Sequence, residues 1–373
     1  MTERIVVKIG SSSLTSDEGG LNRERIGFFA RELASIHEAG HQVLLVTSGA
    51  VAAGFRRIGY KSRPKLVHEK QAAAAVGQAL LMQAYQEAFS AFGGNGGIGV
   101  AQILLTRADF SNRSRIQNAL MTIEELLNQR TLPIINENDT VATDELTLKF
   151  GDNDKLSALV ANLVKAKQLL ILTDTDGLYT DDPRKNPAAV RIERVGQISD
   201  DIMRIAGGAG SSVGTGGMRS KIEAARISMR GGVPAFVGRV AEPGELRKAV
   251  LGDGKGTYFD TSLHNLPMKK QWVGFHSLPQ GKIAVDEGAE AALLRGGKSL
   301  LPAGIRQVEG DFHPGDVVEV VNLHGHTIGR GVVNYAAWQI QAVAGLGTAA
   351  VRKPVEVGRI EVIHRDEWVT LEA

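Results

Sequence analysis

Short runs of β-branched and other apolar residues alternate with longer segments of helical period from Arg4 to about Val240. That alternation predicts a parallel sheet covered by helices on both faces. The strand candidates are RIVVKIG (4–10), HQVLLVTSG (41–49), GVAQILL (99–105), TLPIINEND (131–139), QLLILTDTDG (168–177) and VPAFVGRV (233–240). Several are continuous apolar runs, the pattern of central parallel strands buried on both sides. Between them, NRERIGFFARELASIHEAG (22–40) puts Ile26, Phe29, Leu33 and Ile36 on one helical stripe, with Gly40 where a C-cap belongs. GGNGG (93–97) reads as a flexible connection into the third strand.

Beyond Val240 the pattern changes. AEPGELRKAVLGDGKGTYFD (241–260) is dominated by turn residues, and from Lys282 onward the apolar positions fall into short runs, KIAVDEGA, GDVVEVVN and HTIGRGVVNY, separated by Gly and Asp. These predict a small, mostly β, barrel-like domain. The expected division is an α/β domain at 1–260, a linker at 261–279 and the β domain at 280–365.

A chain of 373 residues exceeds what one hydrophobic core usually organises, which agrees with two domains. The 44 glycines fit a fold with many tight strand-to-helix turns. A formal charge of +2 gives no global reason to expect nucleic acid or an anionic membrane as the main partner. With no cysteine, disulfides, thiolate catalysis and Cys-based zinc sites are excluded. The opening MTERIVVKIG runs into a strand without an apolar leader, and no run is long enough to span a bilayer, so a cytoplasmic location is expected.

In open α/β sheets ligands sit beyond the carboxyl ends of the strands, so the residues after each run carry the functional information. Lys8 lies inside the first run, followed by Gly10 and Ser11–Ser13. Its ammonium either meets a charged partner there or snorkels to water from an edge strand. The second run ends in Thr47, Ser48 and Gly49 before an Ala-rich helix start, which suits a carboxylate seat or a plain N-cap. INENDTVAT (135–143) and GDNDKLSA (151–158) bring Asn136, Glu137, Asn138, Asp139, Asp152, Asn153 and Asp154 to the same edge. Turns and caps use such residues too, but two clusters together could hold an amino group, orient a lysine or bind Mg²⁺ through water. LTDTDGLYTDDPRKNP supplies Thr173, Asp174, Asp176 and Gly177, with an acidic loop able to close over a base or ribose. VGTGGMRSKIEAARIS (213–228) is a Gly-rich turn running into an amphipathic helix that carries Lys221. It is not a Walker A sequence, yet it offers amides and a cation to a triphosphate.

Together these features describe phosphoryl transfer, with two lysines to offset developing charge and amides for the phosphates. The nine histidines are scattered and support neither a Ser-His-Asp nor a metal-His site.

The strings VVKIGSSSLT, VTSGAVAAG, INENDTVAT, FGDNDKLSAL, LILTDTDGLYTDDPR and GTGGMRSKIEAA, in that order, resemble the glutamate 5-kinases of the amino-acid kinase superfamily. The C-terminal segment is similar to the PUA domain that many members carry. The resemblance implies an open, mainly parallel sheet sandwiched by helices, followed by a PUA-like barrel. It implies ATP-dependent phosphorylation of the side-chain carboxylate of L-glutamate with Mg²⁺, the first step of proline synthesis, with proline as feedback inhibitor and a homo-oligomeric enzyme. By the same resemblance Lys8 and Lys221 stabilise the transferring phosphoryl group and Asp154 organises them. Ser48, Asp139 and Asn153 bind glutamate. Lys8, Thr173, Asp174 and the run Thr215, Gly216, Gly217, Met218, Arg219, Ser220 and Lys221 bind ATP. Arg219 and Ser220 occupy positions that vary among relatives, so the resemblance secures their backbone role rather than their side chains.

Two other readings stand beside this one. Aspartate, acetylglutamate or a nucleoside monophosphate could replace glutamate on the same fold. Alternatively, a PUA-like domain could make this an RNA-binding protein. Its basic residues Lys282, Arg295, Lys298, Arg306, Arg330 and Arg352 are interspersed with Asp286, Glu287, Glu290, Glu309, Asp311 and Glu319, so no one-sided basic stripe is evident.

Overall fold

A computed structural model describes residues 3–16, 20–94, 96–142, 153–208, 217–261, 279–295, 297–347 and 359–371. The chain divides into two compact units, Met1–Asp109 with Arg113–His264, and Asn265–Ala373 with Phe110–Asn112.

Among the described residues the first unit has ten strands: β1 (Arg4–Ile9), β2 (Gln42–Val46), β3 (Val100–Leu105), β4 (Leu132–Glu137), β5 (Gln168–Leu172), β6 (Leu178–Tyr179), β7 (Arg191–Ile192), β8 (Arg194–Val195), β9 (Ala235–Gly238) and β10 (Gly256–Phe259). Its helices are α1 (Arg23–Glu38), α2 (Ala50–Gly54), α3 (Val67–Phe89), α4 (Arg107–Ser111), α5 (Arg113–Asn128), α6 (Asn153–Leu163), α7 (Asp200–Gly208), α8 (Met218–Arg230) and α9 (Glu245–Leu251). The main sheet runs β3-β4-β2-β1-β5-β9-β10-β8. From β3 to β9 every pairing is parallel; β10 is antiparallel to β9 and parallel to β8.

All six strands read from the sequence are present, each trimmed by one to five residues at its ends. β1 lies at the centre, flanked by β2 and β5, so its apolar side chains are buried on both faces. Ile5, Val7 and Ile9 pack with Ile26, Phe29, Leu33 and Ile36 of α1 and with Leu81, Tyr85 and Phe89 of α3. The Asn22 side chain caps α1 by accepting from the Arg25 amide at 3.0 Å, and Gly40 ends the segment at φ 97°.

The segment 241–260, which reads as turns, instead contains α9 and the buried strand β10. The buried Glu32 carboxylate anchors that helix, accepting from the Gly244 amide at 2.8 Å and the Leu246 amide at 3.1 Å. The acidic loop after β5 is a built hairpin: β6 pairs antiparallel with β7, and Leu178 N donates to Thr257 Oγ1 at 2.8 Å.

The second unit is a five-stranded sheet in the order β12 (Ile305–Gly310), β11 (Gly281–Val285), β13 (Val317–Val321), β14 (Thr327–Val333), β15 (Ile363–Thr370). With α10 (Glu287–Leu294) and α11 (Ala337–Val343), it encloses a core that includes Phe312, Tyr335, Ile340 and Trp368. Arg306 pairs with Asp286 at 2.7 Å and Arg330 with Glu319 at 2.9 Å, so two of its basic side chains are already engaged.

Candidate functional site

The register brings the strand ends together. Lys8 is level with Val46 on one side and Ile171 on the other, and Val46 is level with Ile135. Gly10, Ser48, the residues after β4 and Thr173 therefore share the carboxyl edge of the sheet.

Asp154, on the first turn of α6, is fully buried and joins two lysines. Lys8 Nζ lies 2.5 Å from its Oδ1 and Lys221 Nζ 3.1 Å from its Oδ2; the Ser220 hydroxyl donates to Oδ2 at 2.9 Å. Burial by itself would push the Asp154 carboxyl up. The ammonium groups of Lys8 and Lys221, with the hydrogen bonds from Lys8 and Ser220, override that and hold it far below the usual carboxylate range. A methyl group added at Gly10 would stand 3.5 Å from the Lys8 ammonium, so backbone and cation meet at the same turn.

Beside this cluster runs a chain of amides. Asn153 Nδ2 donates to Ser48 Oγ at 2.9 Å and to Asn136 Oδ1 at 3.0 Å. Asn136 Nδ2 donates to Gln78 Oε1 at 2.8 Å, and Gln78 Nε2 to Gln102 Oε1 at 3.0 Å. Ser48 owes its position to a close helix contact: a Cβ at Gly77 would fall 1.7 Å from Ala50 O, and one at Gly54 1.9 Å from Ala73 O. Only glycine on both α2 and α3 allows that approach, and Gly49, at φ 106°, turns the chain into α2. Asp139 is half-buried and its carboxyl is pushed up to about 6 by desolvation.

The amino acid kinase family profile matches residues 3–239 and the PUA domain profile residues 281–355. The chain belongs to the amino acid kinase family. Curated relatives that match nearly the whole chain carry the name glutamate 5-kinase. Those of Geobacillus kaustophilus and Geobacillus thermodenitrificans are 50% and 49% identical over 99% of this chain and 97% of their own length. That of Bacillus cereus is 48% identical over 99% of both chains.

Of the predicted site residues of this family member, Lys8, Asp154 and Lys221 meet directly, as do Ser48 and Asn153. Thr173 follows β5, its amide donating to Gly238 O at 3.0 Å and its hydroxyl to Asp174 at 2.9 Å, with Asp174 exposed. Gly217 caps α8 and Met218 begins it; Arg219 is bound to Glu223 at 3.3 Å. Ser220 turns inward to Asp154, so its hydroxyl serves the lysine cluster. Thr215, Gly216 and Asp152 lie outside the described residues. The sequence reading missed Gln78 and Gln102. Gln78 is a buried polar residue in the Ala-rich stretch of α3, and that misplaced polarity was the available signal.

Among the described residues no cluster of three or more His, Asp or Glu forms a metal cage, and no helix is long and apolar enough to cross a membrane.

Proposed function

We propose that this chain phosphorylates the side-chain carboxylate of L-glutamate with ATP, giving L-glutamyl 5-phosphate and ADP, the entry step to proline synthesis. The observation that carries the reading is the buried Lys8–Asp154–Lys221 cluster beside the Ser48–Asn153 pair, in a chain half identical to enzymes named glutamate 5-kinase.

The acceptor carboxylate is an anion at neutral pH, so the barrier lies in bringing it to a polyanion rather than in removing a proton. Lys8 and Lys221 supply two fixed positive charges in a dry site, where preorganised donors act most strongly on the transferring phosphoryl group. Asp154 holds the two ammonium groups in place before substrate arrives. Ser48, Asn153 and Asp139 are assigned to glutamate, with Asp139 offering a carboxylate to its amino group. Thr173, Asp174 and the turn from Thr215 to Lys221 are assigned to ATP. Mg²⁺ fits as a companion of the nucleotide: with no cage of carboxylates among the described residues, it would draw most of its ligands from phosphates and water and neutralise their charge.

Residues 1–260 are assigned to catalysis, 261–279 to a linker and 280–365 to the PUA-like domain. Proline as feedback inhibitor, a homo-oligomeric assembly and a cytoplasmic location complete the proposal. RNA is the weaker partner, given the pairing of Arg306 and Arg330 with acidic neighbours.

The test is hydroxamate formation from purified protein with ATP, Mg²⁺ and hydroxylamine. L-Glutamate should react and L-aspartate and N-acetylglutamate should not, and added proline should suppress the signal. Reaction with another acid, or with none, would overturn the substrate assignment.

A further inference from the structure

The amide chain fixes which end of Asn153 faces outward. Both hydrogens of its Nδ2 are spent, one on Ser48 Oγ and one on Asn136 Oδ1. Asn136 Oδ1 also accepts from the Glu137 amide at 2.9 Å, so this end of Asn136 is the acceptor and its Nδ2 must find an acceptor in turn. Gln78 Oε1 provides one, and Gln78 Nε2 donates in turn to Gln102 Oε1, so the polarity set by the Glu137 amide runs outward from Asn136. Each amide has two inequivalent ends, so the order runs through without a break.

At the end of this order, Asn153 Oδ1 is a buried acceptor with no hydrogen-bond partner. Glu137 Oε1, one residue along from Asn136, is a second. Asp139 follows two residues later, half-buried, with no cation beside it among the described residues. A buried acceptor left without a donor is costly, so the Asn153 oxygen calls for a donor from outside the chain.

We infer that Gln78 and Gln102 are positioning residues that set the Asn153 amide with its oxygen toward the substrate, and that this oxygen receives the α-ammonium of the amino acid. The inference rests on the glutamate reading above and adds to it the origin of selectivity for an amino acid over a plain dicarboxylate.

The test compares Gln78→Met, which fills the space but accepts no strong hydrogen bond, with Gln78→Glu, which keeps the acceptor for Asn136. L-Glutamate is the substrate, and glutarate, the same diacid without the amino group, is the competing inhibitor. Gln78→Met should raise the KM for L-glutamate about tenfold, as expected for misplacing one hydrogen bond to a charged group. The glutarate inhibition constant and the KM for ATP should move less than about twofold. Gln78→Glu should restore most of the L-glutamate KM. Should Gln78→Met fail to fold, Gln102→Met, at the exposed end of the chain of amides, should show the same selective shift at smaller size. An unchanged L-glutamate KM, or equal loss of glutarate and glutamate binding, overturns the inference while the wild type still makes the hydroxamate. A wild type that makes no hydroxamate from glutamate overturns the substrate reading instead.

Discussion

Replacing Asp154 by Asn tests the central cluster most directly. The side chain keeps its shape, but a donor NH₂ now faces one of two ammonium groups that stood 2.5 and 3.1 Å from a carboxylate. Lys8 and Lys221 are only 6% and 7% exposed, so water does little to compensate. Removing one partner of a buried ion pair costs about 3–5 kcal/mol. For a unit of this size that corresponds to a fall in Tm of roughly 6–20 °C. Catalysis should fall as well, by about a hundredfold or more in kcat, since at least one lysine loses its fixed position. Two measurements separate this from general damage. ATP should raise the Tm of Asp154→Asn more than that of the wild type, because its phosphates replace the missing anion. A second change, Lys221→Met, should recover part of the stability while leaving the enzyme inactive. An Asp154→Asn protein with wild-type Tm and turnover within a few fold would refute the reasoning.

Lys8→Ala and Lys221→Ala should each lower kcat by about a hundredfold or more, measured by hydroxamate formation at saturating ATP and glutamate. Near-normal turnover in either removes that lysine from the chemistry. Gly77→Ala should destabilise by about 3 kcal/mol or more, read by urea denaturation, because its methyl group collides with a backbone carbonyl rather than with a mobile side chain. A neutral result would mean that α2 and α3 separate easily. Asp139 has the opposite sign from Asp154. Its native carboxyl titrates near 6 against about 4 unfolded, so the native state binds more protons in between and the residue costs stability at neutral pH, a cost that fades as pH falls toward 4. Asp139→Asn should therefore raise stability at pH 8 by about 1–3 kcal/mol and flatten that part of the pH profile. A variant less stable than the wild type at pH 8 would contradict the assignment.

The parallel sheet was legible because its inner strands are continuous apolar runs buried on both faces, and a run such as IVVKI admits few alternatives. β10 was not, since GTYF is four residues flanked by turn formers, and its pairing with β9 depends on α9 being held by Glu32, far away in sequence. The site divides the same way. Lys8, Ser48, Asn153 and Asp154 stand where strands end and helices begin, which sequence can locate. Gln78 sits within a helix and Gln102 within a strand, and only the third dimension shows that Gln78 meets Asn136 and Gln102 meets Gln78. The Gly54–Gly77 contact is likewise invisible along the chain, because each glycine alone reads as an ordinary helix residue.

The central place of β1 has a consequence for how the chain emerges during synthesis. It is made long before its neighbour on one edge, β5, Gln168–Leu172. At about 5–20 residues per second, that edge waits on the order of 10–30 s with its backbone unpaired. Such an edge is a template for another nascent chain, and natural strands resist this with an inward-pointing charge. Lys8 supplies one between the apolar residues Val7 and Ile9. Until Asp154 is made and takes its place, the Lys8 ammonium leaves a charge on that waiting edge.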